Sequence, residues 1–132
     1  MGTLKAFFKQ NKKGEETRKV KLPNFDEPVV IRVISGKEYE RIQERCFENK
    51  PGRKGKQERV FNATKFNREL CIASIVTPNL NDTELQESYG ATGASELFGE
   101  MFNWGEQTRI LEEITEASGI EDINDMVEEV KN

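Results

Sequence analysis

The sequence predicts an α+β fold that is mainly α-helical, with an N-terminal β-hairpin packed on a bundle of about five or six helices. Three observations carry that prediction. Lys19–Leu22 and Val29–Ile34 alternate or run apolar on either side of the turn-rich PNFDEP, the pattern of a hairpin. From Ser35 onward, apolar residues recur at spacings of three and four, the period of a helix with one buried face. The length of 132 residues suits a single domain, and no low-complexity tract or long linker divides it. Residues 1–34 then form a short helix plus the hairpin, and residues 35–132 the helical part, with a mobile basic loop over 50–59.

Leu4, Phe7 and Phe8 fall at i, i+3 and i+4, so a short amphipathic helix opens the chain. Lys12 to Lys19 is polar, contains Gly14 and reads as a loop. A two-stranded hairpin is marginal alone and must pack against the helices after it. Ser35 with Glu38 is a capping box, opening a helix with Tyr39, Ile42, Cys46 and Phe47 on one face. NKPGRKGKQER, from Asn49 to Arg59, ends that helix as an exposed loop. A second helix, about Asn62 to Val76, turns Phe66, Leu70, Ala73 and Val76 inward, with Cys71, Ile72 and Ile75 widening the stripe. Pro78 stops it.

Asn81 with Glu84 repeats the capping pattern before a short helix closed by Gly90. Ala94, Leu97, Phe98, Met101 and Phe102 give the most regular helical spacing in the chain. Ile110, Leu111, Ile114 and Ala117 define the next helix, ending at Gly119, and Ile123, Met126, Val127 and Val130 the last.

Composition excludes several functions. There is no histidine, which removes the usual general base near neutral pH, the Ser-His and Cys-His pairs and every His-containing zinc site. No run approaches the roughly 20 apolar residues that span a bilayer. MGTLKAFFKQNKKGEE lacks the pattern of a secretory signal, so Cys46 and Cys71 are expected to be buried, reduced hydrophobes. Adjacent acidic pairs such as Glu112-Glu113 and Glu128-Glu129 read as solvated helix faces rather than acid/base pairs. Asp122-Ile123-Asn124-Asp125 lacks the oxygen ligands and glycine of a calcium loop. Gly90–Ser95 follows a helix and carries no lysine, so it fits neither nucleotide fingerprint. No catalytic, cofactor-binding or metal-binding residue is therefore predicted, and the expectation is a protein that is not an enzyme.

Charge is split along the chain. Residues 1–72 hold 18 basic against 10 acidic side chains, a balance of +8; residues 73–132 hold 2 against 14, a balance of −12. Lys50, Arg53, Lys54, Lys56 and Arg59 concentrate positive charge in one segment that could contact phosphates in a salt-dependent way. No aromatic platform is interleaved there and the whole chain is acidic, which argues against nucleic acid. Phe7, Phe8, Phe102 and Trp104 lie near element ends, where an aromatic left exposed marks a protein-binding patch.

The stretch LCIASIVTPNLNDTELQESYGATGASELFGEMFNWGEQTRILEEI, followed by SGIEDINDMVEEVKN, resembles the XkdN-like phage tail assembly chaperones of PBSX-type prophages. The order of parts is also similar: MGTLKAFFKQN, then VVIRVISGKEYERIQERC, a basic Gly-containing loop, and FNATKFNRELCIASIVTPNLND. The resemblance spans nearly the whole chain and is densest from Leu70 to Gly90. It implies a cytoplasmic protein of phage assembly, which coats the tape-measure protein, keeps it soluble and assists recruitment of tail tube subunits. Self-association along one client is part of the same expectation, with the basic and acidic halves meeting head to tail. The segments Leu97–Phe102 and Ile110–Ile114, with Phe7 and Phe8, are expected to line the client groove; the candidates are Phe7, Phe8, Leu97, Phe98, Met101, Phe102, Trp104, Ile110 and Ile114. Two alternatives from other classes are a structural component of the tail or baseplate, and a small nucleic-acid-binding regulator using the basic loop.

Overall fold

Alternation in the first strands is met by burial on one side only. β1 (Thr17–Val20) pairs antiparallel with β2 (Val29–Arg32), in the register Thr17 opposite Arg32 and Val20 opposite Val29. Val20, Leu22, Val29 and Ile31 are buried, which gives the hairpin the packed face it needs. The structure, a computed structural model, describes residues 3–14 and 16–119. The helix expected over Ile123–Val130 lies outside the described residues.

Helix α1 (Gly36–Arg45) starts where the Ser35 hydroxyl accepts the Glu38 backbone N–H at 3.2 Å. The Glu38 carboxylate does not close the expected box. It accepts a 2.5 Å hydrogen bond from the Arg32 guanidinium on β2 instead. The basic segment expected to be a loop is a second antiparallel ribbon, β3 (Phe47–Pro51) with β4 (Gln57–Phe61). Its turn is closed by the Gly52 N–H donating to Lys56 O at 2.6 Å, with Lys54 and Gly55 both at positive φ. Pro51, Gly52 and Gly55 supply the turn, and Phe47, Val60 and Phe61 the β-forming residues on either side of it.

Asn62 caps α2 (Ala63–Ser74) through Lys65 N–H. α2 ends two residues before the expected Val76. Ile75–Thr77 forms β5, antiparallel to the free edge of β2, so the sheet order is β1-β2-β5. β-Branched residues favour that extended path, and a residue before proline is disfavoured in the helical region. The buried Ser74 hydroxyl donates to Arg32 O at 2.9 Å, pinning the end of α2 to β2. α3 (Thr83–Ser88) is capped by Asp82, not Asn81 as expected, with Asp82 Oδ1 accepting from Leu85 N–H. α4 (Ala94–Met101) follows Gly93. α5 (Trp104–Ala117) begins six residues earlier than the apolar stripe at Ile110 implies, because Asn103 and Glu106 form a full capping box.

Two apolar clusters result. The larger joins the sheet to α4 and α5 through Ile31, Cys71, Leu97, Phe98, Phe102, Ile110 and Ile114. The smaller holds Ile42 and Cys46 of the α1 end against Phe66 and Leu70 of α2. Both cysteines are free and buried, one in each cluster. Arg18 of β1 reaches across to α5, 3.0 Å from Glu113 and 3.1 Å from Glu116. The architecture is α+β and mainly helical, with the N-terminal hairpin packed on the helices.

Candidate functional site

Burial separates the expected client residues into core and surface. Leu97, Phe98, Phe102, Ile110 and Ile114 are buried in the larger cluster, and Met101 is half-buried against it. The regular spacing that picks them out reflects their packing on the sheet. Leu97, Phe102, Ile110 and Ile114 offer a client almost no exposed area and are core rather than groove, while Phe98, equally buried, also borders the cleft between α2 and α5. Phe7, Phe8 and Trp104 remain as surface groups.

Trp104 is 82% exposed at the first turn of α5, and Phe7 is 80% and Leu4 71% exposed near the N-terminus. The N-terminal helix expected there is two short 3-10 turns, Lys5–Phe7 and Lys9–Asn11, with no buried residue. Phe8 is half-exposed between them. Its neighbours Lys5, Lys9, Lys12 and Lys13 make this arm basic as well as aromatic.

Trp104 stands at the mouth of a cleft of about 240 Å³ between α2 and α5. α2 supplies Thr64, Asn67, Arg68 and Cys71 to one wall. α5 supplies Trp104, Gln107, Thr108 and Leu111 to the other, and Phe98 of α4 closes the floor. Two of the polar groups are already occupied by backbone: Gln107 Nε2 donates to Phe102 O and the Thr108 hydroxyl to Trp104 O, each at 2.9 Å. Arg68 differs. Its Nε is buried and has no hydrogen-bond partner among the described residues. Burial pushes the Cys71 thiol up to about 12, so it stays protonated and is a poor nucleophile. Among the described residues no group of three or more His, Cys, Asp or Glu is placed to hold a metal ion, and no helix is long and apolar enough to cross a membrane.

The basic segment is brought together with aromatic rings, a combination the sequence pattern does not show. Arg59 lies with its guanidinium 4.0 Å from the centre of the Phe47 ring and pairs with Glu44 of α1. Phe47 and Phe61 are 5.1 Å apart, and Phe61 is 5.5 Å from Phe66, which in turn meets Tyr39 edge-on at 5.1 Å. These rings sit at the base of the ribbon. Lys50 is 3.9 Å from Glu48, while Arg53, Lys54 and Lys56 lie exposed around the turn.

Among the described residues, Trp104 is the exposed aromatic that borders the cleft between α2 and α5, whose walls are largely polar. The profile of the phage XkdN-like tail assembly chaperone proteins matches residues 4–131, and the chain belongs to that family. The crystal structure of the protein yqbn has a similar fold, with a TM-score of 0.65 at 15% identity, over 92% of this chain and 99% of that one. No curated protein matches significantly in sequence.

Proposed function

We propose that this chain is a tail assembly chaperone that binds the tape-measure protein in the host cytoplasm, keeps it soluble and assists assembly of tail tube around it. Membership of the tail assembly chaperone family supports a role in assembly rather than catalysis. The observation that carries the binding reading is Trp104, a large aromatic left 82% exposed at the mouth of the α2/α5 cleft. Exposed indoles are costly to leave in water and are enriched where partners dock. A long helical client presents apolar stripes at i, i+3, i+4 and i+7, which suit a cleft between two helices. Phe7 and Phe8 on the basic arm add a second apolar contact, and the acidic exposed side chains Glu84, Glu87, Glu96, Glu100 and Glu112 keep the coated complex soluble. Copies lined along one client would bring the basic β3–β4 turn of one against the acidic helices of the next.

Co-expression with the tape-measure protein tests the reading. The client is expected in the soluble fraction with the wild-type chain and in the pellet without it. Trp104→Ala, alone and with Phe7→Ser and Phe8→Ser, is expected to return client to the pellet while circular dichroism of the chain itself is unchanged. A client equally soluble with and without the chain ends the proposal.

A further inference from the structure

Charge is left unmatched in the α2/α5 cleft. Arg68 is the one charged side chain lining it, and its buried Nε has no acceptor among the described residues. On the α5 wall, Gln107 Nε2 and the Thr108 hydroxyl donate to carbonyls of their own segment. Buried donors are almost always paired, and a guanidinium is held most strongly by a carboxylate, through two parallel N–H···O bonds.

The size of the cleft limits what can bring that carboxylate. Small-molecule sites run to about 300–1,000 Å³, and this cleft holds about 240 Å³. That is room for the side chains of a docked segment rather than for a whole cofactor. Nucleic acid is held by several cations along a groove, whereas one cation lines this cleft. α4 and α5, which supply its floor and one wall, also carry exposed Glu96, Glu100 and Glu112, which repel a highly charged anion. A single carboxylate on a protein segment is the anion that fits.

Trp104 sets the second requirement. Its indole, 82% exposed at the mouth, offers an apolar surface to the same segment. On a helix, side chains three or four positions apart share a face. A carboxylate and an apolar side chain at that spacing meet the two groups of one cleft together.

We propose that the α2/α5 cleft selects its client segment by an acidic–apolar pair. An Asp or Glu of a client helix sits on the Arg68 guanidinium, and an apolar side chain three or four positions away lies against Trp104. Trp104 stays open until the client arrives. This rests on the chaperone reading, which supplies the helical client, and adds which of its segments are held.

Trp104 is the single tryptophan of the chain, so its emission reports on the cleft. Overlapping peptides that cover the tape-measure protein, with any tryptophan replaced by phenylalanine, are titrated into the full-length chain. At about 20 residues each spans about 30 Å as a helix, longer than the roughly 21 Å of α5. Peptides that shift Trp104 emission to the blue are expected to share an Asp or Glu with an apolar residue three or four positions away. Changing that acid to its amide should weaken binding about tenfold or more. Arg68→Gln should weaken the acidic peptide as much and leave the amide peptide unchanged. Changes on the peptide leave the chain intact, so their result stands even if Arg68→Gln fails to fold. Binding that ignores the acid overturns the proposal, and so does an equal loss for both peptides on Arg68→Gln. No peptide that shifts Trp104 overturns it as well. A blue shift that grows with the concentration of the chain alone does the same, since it gives the cleft to a second copy. Co-expression reads solubility independently of these titrations. A client kept soluble while its peptides ignore the acid sinks the pair and leaves the chaperone reading; a client soluble without the chain sinks the chaperone reading whatever the peptides show.

Discussion

The β1–β2 and β3–β4 ribbons share antiparallel pairing and similar strand lengths, yet they are held together differently. β1–β2 has β5 on its second edge, buries Val20, Val29 and Ile31 against the helices, and is tied to α5 through Arg18. Every residue of β4 is exposed, and the β3–β4 ribbon has no third strand among the described residues. It depends on its turn, on the Phe47, Phe61 and Phe66 rings at its base, and on Arg59 lying over Phe47. Asn62 fastens that base as well, donating from its backbone N–H to Cys46 O at 2.8 Å and from its side chain to Glu48 at 3.0 Å. The first ribbon is scaffold, made by burial; the second projects basic charge from a scaffold it does little to support.

The largest expected effect separates the two. Ile31→Ala removes a fully buried side chain from the larger cluster and is expected to cost about 2–5 kcal/mol. Val60→Thr on β4 is expected to stay within about 0.5 kcal/mol, as for other exposed positions. Urea unfolding of both variants beside the wild type measures the difference. Equal losses would show that the β3–β4 ribbon belongs to the cooperative core, contrary to its exposure.

A smaller effect tests what holds the exposed ribbon. Arg59→Ala removes the cation–ring contact, worth about 0.5–1 kcal/mol at an exposed site, and a solvent-exposed ion pair with Glu44 worth little more. Amide hydrogen exchange should quicken across β3 and β4 and stay unchanged in β1 and β2. Uniform acceleration in both ribbons would mean that Arg59 stabilises the whole fold.

The contrast also explains what the sequence makes visible. The first hairpin is legible because alternation and PNFDEP coincide, and the helical stripes are legible because burial imposes their period. β5 is hidden because Ile75 continues the apolar stripe of α2 and is buried whether it sits in a helix or a strand. β3–β4 is hidden because its turn residues dominate the segment, while Phe47 and Phe61 fall outside it and read as helix flanks. The start of α5 is signalled by Asn103 and Glu106, a capping pattern masked by Gly105 between them. Aromatic identity alone does not separate core from surface. Phe98 and Phe102 lie in the α4 stripe and are buried, whereas Trp104 begins a helix whose inward stripe continues at Ile110 and Ile114. The α2/α5 cleft needs side chains 30 to 40 positions apart, such as Arg68 and Trp104, and no local pattern joins them.

The smallest expected effect lies at the joint between the two ribbons, where α1 leads from β2 to β3. Hydrogen bonding from the Arg32 guanidinium is the main cause that holds the Glu38 carboxyl below its usual range; partial burial opposes it, and Arg32, Arg41 and Arg45 add attraction. The same bond raises Arg32. A carboxylate whose folded value is depressed binds fewer protons folded than unfolded just below its ordinary value of about 4.3. Its contribution is therefore complete above that value and is lost as pH falls through the folded one. Both side chains are about one-third exposed, so solvent screening limits the bond to about 0.5–1 kcal/mol. Glu38→Gln is expected to be less stable than wild type by about that amount near neutrality, with the gap closing in acid, as read from urea midpoints across the acid range. A gap that stays constant with pH would trace the loss to helix-end packing around Ser35 instead of to the bond between α1 and β2.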